Sequence, residues 1–315
     1  MKARLRPHQT GLHRAEMIRE LAVPALSELR EFRACLERLT GRVAELVPVV
    51  MEPGAPSGTW LRTGVADYLF YEEQTSRFHQ AHIVLSVAAQ LLLGDTAEPS
   101  VDPRLVPDVS PQLIRLMLGG AVCSPVTQRE AEELAFLAVE HARPVSYPQP
   151  LARRALRQLR PLHAALRAAV PQIAATAAPR IWTSPSLRLH RQVIQIRDAA
   201  LALRPYRDPE AASAATSTAC AAGLTGEELA AAGEAAVLAA AVSTRRSGQP
   251  VPRTPARTGG LPMPGPDLRS ETAWLVKVSR AFAQLQRAAE PAVEAIESRP
   301  DERASWMQTA RERSR

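Results

Sequence analysis

Apolar residues recur near a 3.6-residue period between Ala15 and Arg42, at Met17, Ile18, Leu21, Leu26, Leu29, Phe32, Leu36 and Leu39. That period predicts a helix. Pro24 predicts a break or kink near Val23, because its ring removes a backbone donor. The pattern then shortens. Val47–Met51 reads as a strand, and Thr59–Thr63 and Ala66–Tyr71 read as two strands around a short turn at Gly64. Ser76 stands where an N-cap would start a helix running to about Leu93, with Gly94 and Asp95 to stop it. Residues 103–111 read as loop, and 111–118 and 127–141 as further helices. The first unit is therefore expected to be α+β, with a small sheet.

After the prolines of 143–150 the pattern is almost entirely helical. Residues 151–169 form an amphipathic basic helix, with Arg153, Arg154, Arg157, Arg160 and Arg167 beside Leu156, Leu159, Leu162 and Leu166. Further helices are expected at 187–203, 210–220, 225–242 and 268–289. Thr225-Gly-Glu-Glu228 has the Thr-x-x-Glu form of a capping box. Residues 247–266 hold six prolines and read as a loop. The expected division is 1–145, a linker at 146–154, a helical domain at 155–290 and a charged tail at 291–315. The fold class is mainly α: an α+β first unit followed by an all-α domain.

Charge sharpens that division. Residues 1–149 carry 15 basic and 18 acidic residues, a net of −3, while residues 150–315 carry 24 and 14, a net of +10. A basic half suits an anionic partner. The marks of base-reading modules are absent, however, and aromatics make up only 4% of the chain, so direct nucleic-acid binding is disfavoured. With 55 Ala and 37 Arg against two Lys, the composition is that of a high-GC genome, so arginine richness alone says little about function. The longest apolar stretch, Ala81–Leu93, has 13 residues interrupted by His82, Ser86 and Gln90, short of the roughly 20 that a bilayer span needs. No transmembrane helix or signal peptide is expected. Three scattered cysteines, Cys35, Cys123 and Cys220, point to a reducing cytoplasm. Oligomeric state is left open.

The stretch from Asp67 to Asp95 carries the candidate chemistry: an aromatic-Tyr-Glu strand end at Phe70-Tyr71-Glu72, then His79-Gln-Ala-His82, then Ser86-Val87-Ala-Ala-Gln90. With the late Arg129-Glu130-Ala-Glu-Glu133 segment, it resembles the ImmA/IrrE-type metallopeptidase-like proteins of actinobacteria, often toxin components, over roughly residues 15–142. The resemblance implies a zincin-like unit whose helix should carry His-Glu-x-x-His at positions 86–90, with Glu130 as a third, acidic ligand. Those positions hold Ser86, Val87 and Gln90. Zinc hydrolysis needs two imidazoles one turn apart and a carboxylate between them to deprotonate the bound water. An inactive module is therefore expected, with no catalytic residue and no cofactor. The alternative is a relocated metal site at His79 and His82, with Glu72 or Glu73 nearby. Cys123 with His141 would be a nucleophile and base, but a lone cysteine before a helix reads first as a small buried hydrophobe. Asp67, Glu72 and Glu73 read as a solvated strand edge. Gly259-Gly260 lacks the strand and Lys-Ser/Thr of a phosphate loop.

The second unit has its own signature in His190-Arg191-Gln-Val-Ile-Gln-Ile-Arg197-Asp198 through Arg204-Pro205-Tyr206, with ordered matches at Leu159–Leu162, Pro171–Ile173, Gly233-Glu234 and Ala273-Trp274-Leu275. Over about residues 155–285 it resembles the soluble C-terminal domain, of unestablished function, of an actinobacterial family of multi-span membrane transporters. His190 stands where that family has Tyr, and Gln195 where it has Glu. Arg191, Arg197, Asp198, Arg204 and Tyr206 form a candidate anion- or partner-binding patch, because guanidinium groups suit bidentate carboxylate or phosphate recognition. The alternative is that these charges pair with neighbouring helices.

The leading expectation is a non-catalytic interaction or regulatory protein, a pseudo-peptidase fused to a helical domain. Its implied partner is a helix-turn-helix regulator, in a toxin–antitoxin-like setting. An enzyme with a relocated metal or helical-domain site is the alternative. A peripheral membrane or scaffold role resting on residues 151–169 is a third.

Overall fold

The computed structural model describes residues 16–21, 29–51, 55–93, 125–142, 147–172, 184–248, 265 and 267–297. The expected kink at Pro24, the helix at 111–118, Cys123, most of the proline-rich loop and the charged tail lie outside the described residues. Helix α1 covers 16–21 and α2 covers Leu29–Thr40. Strands β1 (Val43–Val49), β2 (Gly58–Arg62) and β3 (Ala66–Glu72) follow, then α3 (Arg77–Leu93) and α4 (Pro125–Ala142). The second half holds α5 (Gln149–Ala169), α6 (Pro185–Ala202), a short 3-10 turn at Arg204–Tyr206, α7 (Pro209–Ala221), α8 (Gly226–Arg246) and α9 (Leu268–Glu297). The architecture is mainly α with one small sheet.

The sheet runs in the order β1-β3-β2, with β1 parallel and β2 antiparallel to β3. The first strand sits four residues earlier than its apolar run suggests. It is an edge strand, so Val43 stays exposed and Pro48 costs no central ladder bond. Asp67 and Glu72, expected on a solvated edge, are both 1% exposed. Burial of a carboxylate demands partners. Asp67 accepts from Arg42 Nε (3.1 Å) and from its cross-strand neighbour Arg62 (2.9 Å). Glu73 alone of the three is exposed.

Two expectations at helix ends are corrected. Residues 149–154, expected as linker, already belong to α5. Pro150 fits the first helical turn, where its missing N–H has no intrahelical partner to lose. Thr225 occupies the N-cap of α8, but its side chain makes no capping bond. Ser76 does act as a cap, accepting from His79 N at 3.3 Å.

The first core gathers Ile18, Phe32, Leu36, Leu69, Val84 and Ala135 among others. The second gathers the apolar faces of α5, α6, α8 and α9, and it also takes in Phe78 of α3 and Phe136 of α4. The two units therefore share buried surface, and α3 and α4 pack on α6. Among the described residues, no helix is long and apolar enough to cross a membrane.

Candidate functional site

Helical periodicity places the site. On α3, His79, His82, Ile83, Ser86, Val87 and Gln90 recur at the spacing of one helical face. On α6, Arg191, Ile194, Gln195 and Asp198 do the same. These two faces meet, with Glu132, Glu133 and Phe136 of α4 and the Pro56–Gly58 approach to β2, around a cleft of about 90 Å³. Gly58 is required there. A Cβ at that position would collide with Ile83 Cγ2 and would lie 2.7 Å from Val87 Cγ2.

The cleft floor is polar and tied down. His79 is fully buried, with Nδ1 2.8 Å from the Thr75 hydroxyl and Nε2 3.0 Å from Asp198 Oδ1 across the unit boundary. An imidazole protonated on Nε2 satisfies both partners: it donates to Asp198 and accepts from Thr75. His82 lies 3.5 Å from Ser86 Oγ through Nε2, while its Nδ1 is buried with no hydrogen-bond partner among the described residues. Burial, reinforced by His79 and opposed by Asp198, pushes its pKa down to about 3. Its ring packs 4.4 Å from Phe136 and 5.3 Å edge-on to His190. His190 in turn contacts Phe78 and Phe136, and the Arg191 guanidinium lies 5.2 Å over the Phe136 ring.

This geometry decides what the groups can do. Ser86 and His82 have the positions of a nucleophile and base, but no carboxylate orients the imidazole through Nδ1, and so low a pKa makes it a weak base. Among the described residues, no three His, Cys, Asp or Glu side chains converge to hold a metal ion. His79 and His82, the candidate relocated ligands, turn ring nitrogens to Thr75, Asp198 and Ser86 instead, and Glu72 is committed elsewhere.

Of the positions where the resemblance would put a metal centre, Ser86, Val87 and Gln90 line the cleft and Glu130 does not. Glu130 is exposed, on the opposite flank of the stripe that α4 buries through Ala131, Ala135, Ala138 and Val139. At roughly 100° per residue, Glu132, Glu133 and Phe136 occupy the flank toward the cleft. The spacing of Phe136 and the carboxylates around that alanine stripe carried the signal.

The candidate patch on the second unit divides. Arg197, expected in the same patch as Arg204, turns into the helical core, where it donates from Nε to Glu271. Helix α6 ends at Ala202, which swings Arg204 away to meet Glu72 at the end of β3. Tyr206 lies under the Arg245 guanidinium. Asp198 and Arg191 reach the cleft. The patch is thus largely spent on internal pairing, much of it with the chain's own first half. Beside it, Arg207 pairs with Glu234 at 3.4 Å, and burial pushes the Glu234 carboxyl up against the pull of that arginine.

Residues 150–287 match a family of unknown function, DUF6545. The match covers α5 through most of α9, the span expected to be a helical domain of unknown function, and includes Arg191, Gln195 and Asp198. No curated protein and no solved structure matches the chain.

Proposed function

We propose that this is a non-catalytic interaction protein, an inactive peptidase-like module held against a helical unit, with a helix-turn-helix regulator as its partner in a cytoplasmic, toxin–antitoxin-like setting. One observation carries the reading. Positions 86, 87 and 90, where the resemblance puts the zinc pentad, line a retained cleft while holding Ser, Val and Gln. The unoriented Ser86–His82 pair adds support, since it offers no alternative hydrolytic centre. Helix α6 walls the cleft, so a regulator would engage its mouth rather than lie along α3.

Affinity capture from the native host, with the regulator also co-expressed and its length followed, tests this. An intact helix-turn-helix protein bound in fixed ratio is the expected result. Cleavage of that regulator, or its absence from the captured material, overturns the reading. So does stoichiometric zinc in untagged protein that is lost on H79A/H82A.

A second reading has one specific observation behind it. Arg153, Arg154, Arg157, Arg160 and Arg167 of α5 are all exposed, that helix holds no acidic residue, and none of the five forms an ion pair among the described residues. Such a face suits an anionic membrane surface, though with little apolar area to insert. Co-sedimentation with anionic but not neutral vesicles, abolished by R153E/R157E/R160E, is expected if this reading holds.

A further inference from the structure

We propose that the cleft between α3, α4 and α6 binds a small monocarboxylate, its oxygens taken by the Arg191 guanidinium and the Gln195 amide. Size comes first. A volume of about 90 Å³ is well below the roughly 300 Å³ at which pockets for drug-sized molecules begin, so the occupant has only a few heavy atoms.

Charge comes second. The carboxylates of the lining are engaged within the protein: Asp198 holds His79 across 3.0 Å, and neither Glu132 nor Glu133 is without a partner. Arg191 is half-buried and has no acidic partner among the described residues, and its buried Nε makes no hydrogen bond there. Its guanidinium is held 5.2 Å over the Phe136 ring, a stack that fixes its plane and favours bidentate carboxylate recognition. The charge of the lining that still lacks a complement among the described residues is therefore positive. A cation would be repelled by it and a neutral molecule would leave it unpaired, whereas an anion answers it.

Hydrogen-bonding capacity comes third. Gln195 lies four residues beyond Arg191 on α6, so the two side chains share a face of that helix. Its amide is oriented from behind. Gln195 Oε1 lies 2.8 Å from His163 Nε2, and an imidazole nitrogen facing a carbonyl oxygen must donate. The carbonyl is thereby used, and the amide N–H groups are left to donate into the cleft that Gln195 lines. Two donor groups one turn apart suit the two oxygens of a carboxylate. Ser86 adds a hydroxyl from α3, while Ile83, Val87 and Ile194 supply the apolar surface that would cover a short carbon chain. The site stands independently of the regulator proposed above, because capture of a protein partner neither requires nor produces it.

Titration calorimetry of the full chain tests the assignment, with acetate, propanoate, butanoate and L-lactate set against acetamide, propanamide, butanamide, L-lactamide and inorganic phosphate at fixed ionic strength. At least one monocarboxylate should bind one-to-one, about tenfold more tightly than its own uncharged amide and than phosphate, the effect of a charge-assisted contact made in the plane of the guanidinium. R191M should weaken that binding at least about tenfold. If R191M fails to fold by circular dichroism, R191K takes its place and should also lose about tenfold, because a point charge cannot reproduce the planar, ring-stacked fork. No saturable binding up to about 10 mM, equal binding of the amide or of phosphate, or unchanged affinity in the folded Arg191 variant overturns the proposal.

Discussion

Arg204, on the turn that follows α6, donates from Nη2 to Glu72 Oε2 at the end of β3 across 2.8 Å, joining the helical half of the chain to the sheet. Glu72 also accepts from Met51 N (3.0 Å) and Gln74 N (2.8 Å), so both its oxygens are in use. Arg204 further approaches the Met51 carbonyl at 3.4 Å. Removing one partner of a buried pair leaves the other charge uncompensated. R204M should therefore destabilise the protein by about 3 kcal/mol. Urea denaturation checks this, and a loss below about 0.5 kcal/mol would mark the pair as solvent-screened.

Arg197 and Glu271 provide a pair buried wholly within the helical unit, 4% and 0% exposed. R197M should cost about 3–5 kcal/mol, whereas R197M/E271M should cost much less, because the double change removes both desolvated charges. A double-mutant cycle measures the difference. Equal losses in the single and double variants would show that packing, not charge, dominates there.

His82 should make stability fall with acid. Its pKa is about 3 in the folded chain and near 6.5 when unfolded. Between those values the unfolded chain binds a proton that the folded chain does not. Stability therefore rises with pH across that window and is lost as pH falls through it, at about 1.4 kcal/mol per pH unit from this group. H82F, which keeps the contact with Phe136, should flatten the slope by that amount between pH 6 and 4.5. An unchanged slope would place the acid sensitivity elsewhere.

G58A should lower the melting temperature, because the added Cβ meets Ile83 and Val87 where β2 crosses α3. Overpacking of this kind costs about 1–3 kcal/mol. V87A in the same chain should restore part of the loss by opening space beside it. Calorimetric melting of the wild type, G58A and G58A/V87A checks the direction.

Much of the local structure was legible because it is locally determined. Ser76 and the apolar run after it define α3, and the breaks around Gly64 separate β2 from β3. The face of α3 was legible too, since His79, His82, Ser86 and Gln90 share a helical spacing that needs no partner to be seen. The displaced start of β1 was not. Its limits follow from pairing with β3, a contact that the alternation of its own residues does not encode. The resemblance points to Glu130 by position in a motif, but the alanine stripe of α4 sets which flank turns inward, and that flank carries Glu132 and Glu133.

The sequence by itself determined the helical content, the small sheet and the charge division between the halves. These depend on propensity, periodicity and residue chemistry over short spans. Only the tertiary structure decided that Asp198 meets His79, that Arg204 meets Glu72, and that Arg197 does neither. Each pairing joins elements remote in sequence, and each is selected by the requirement that a buried charge find its complement. That requirement has no signature until the chain folds back on itself.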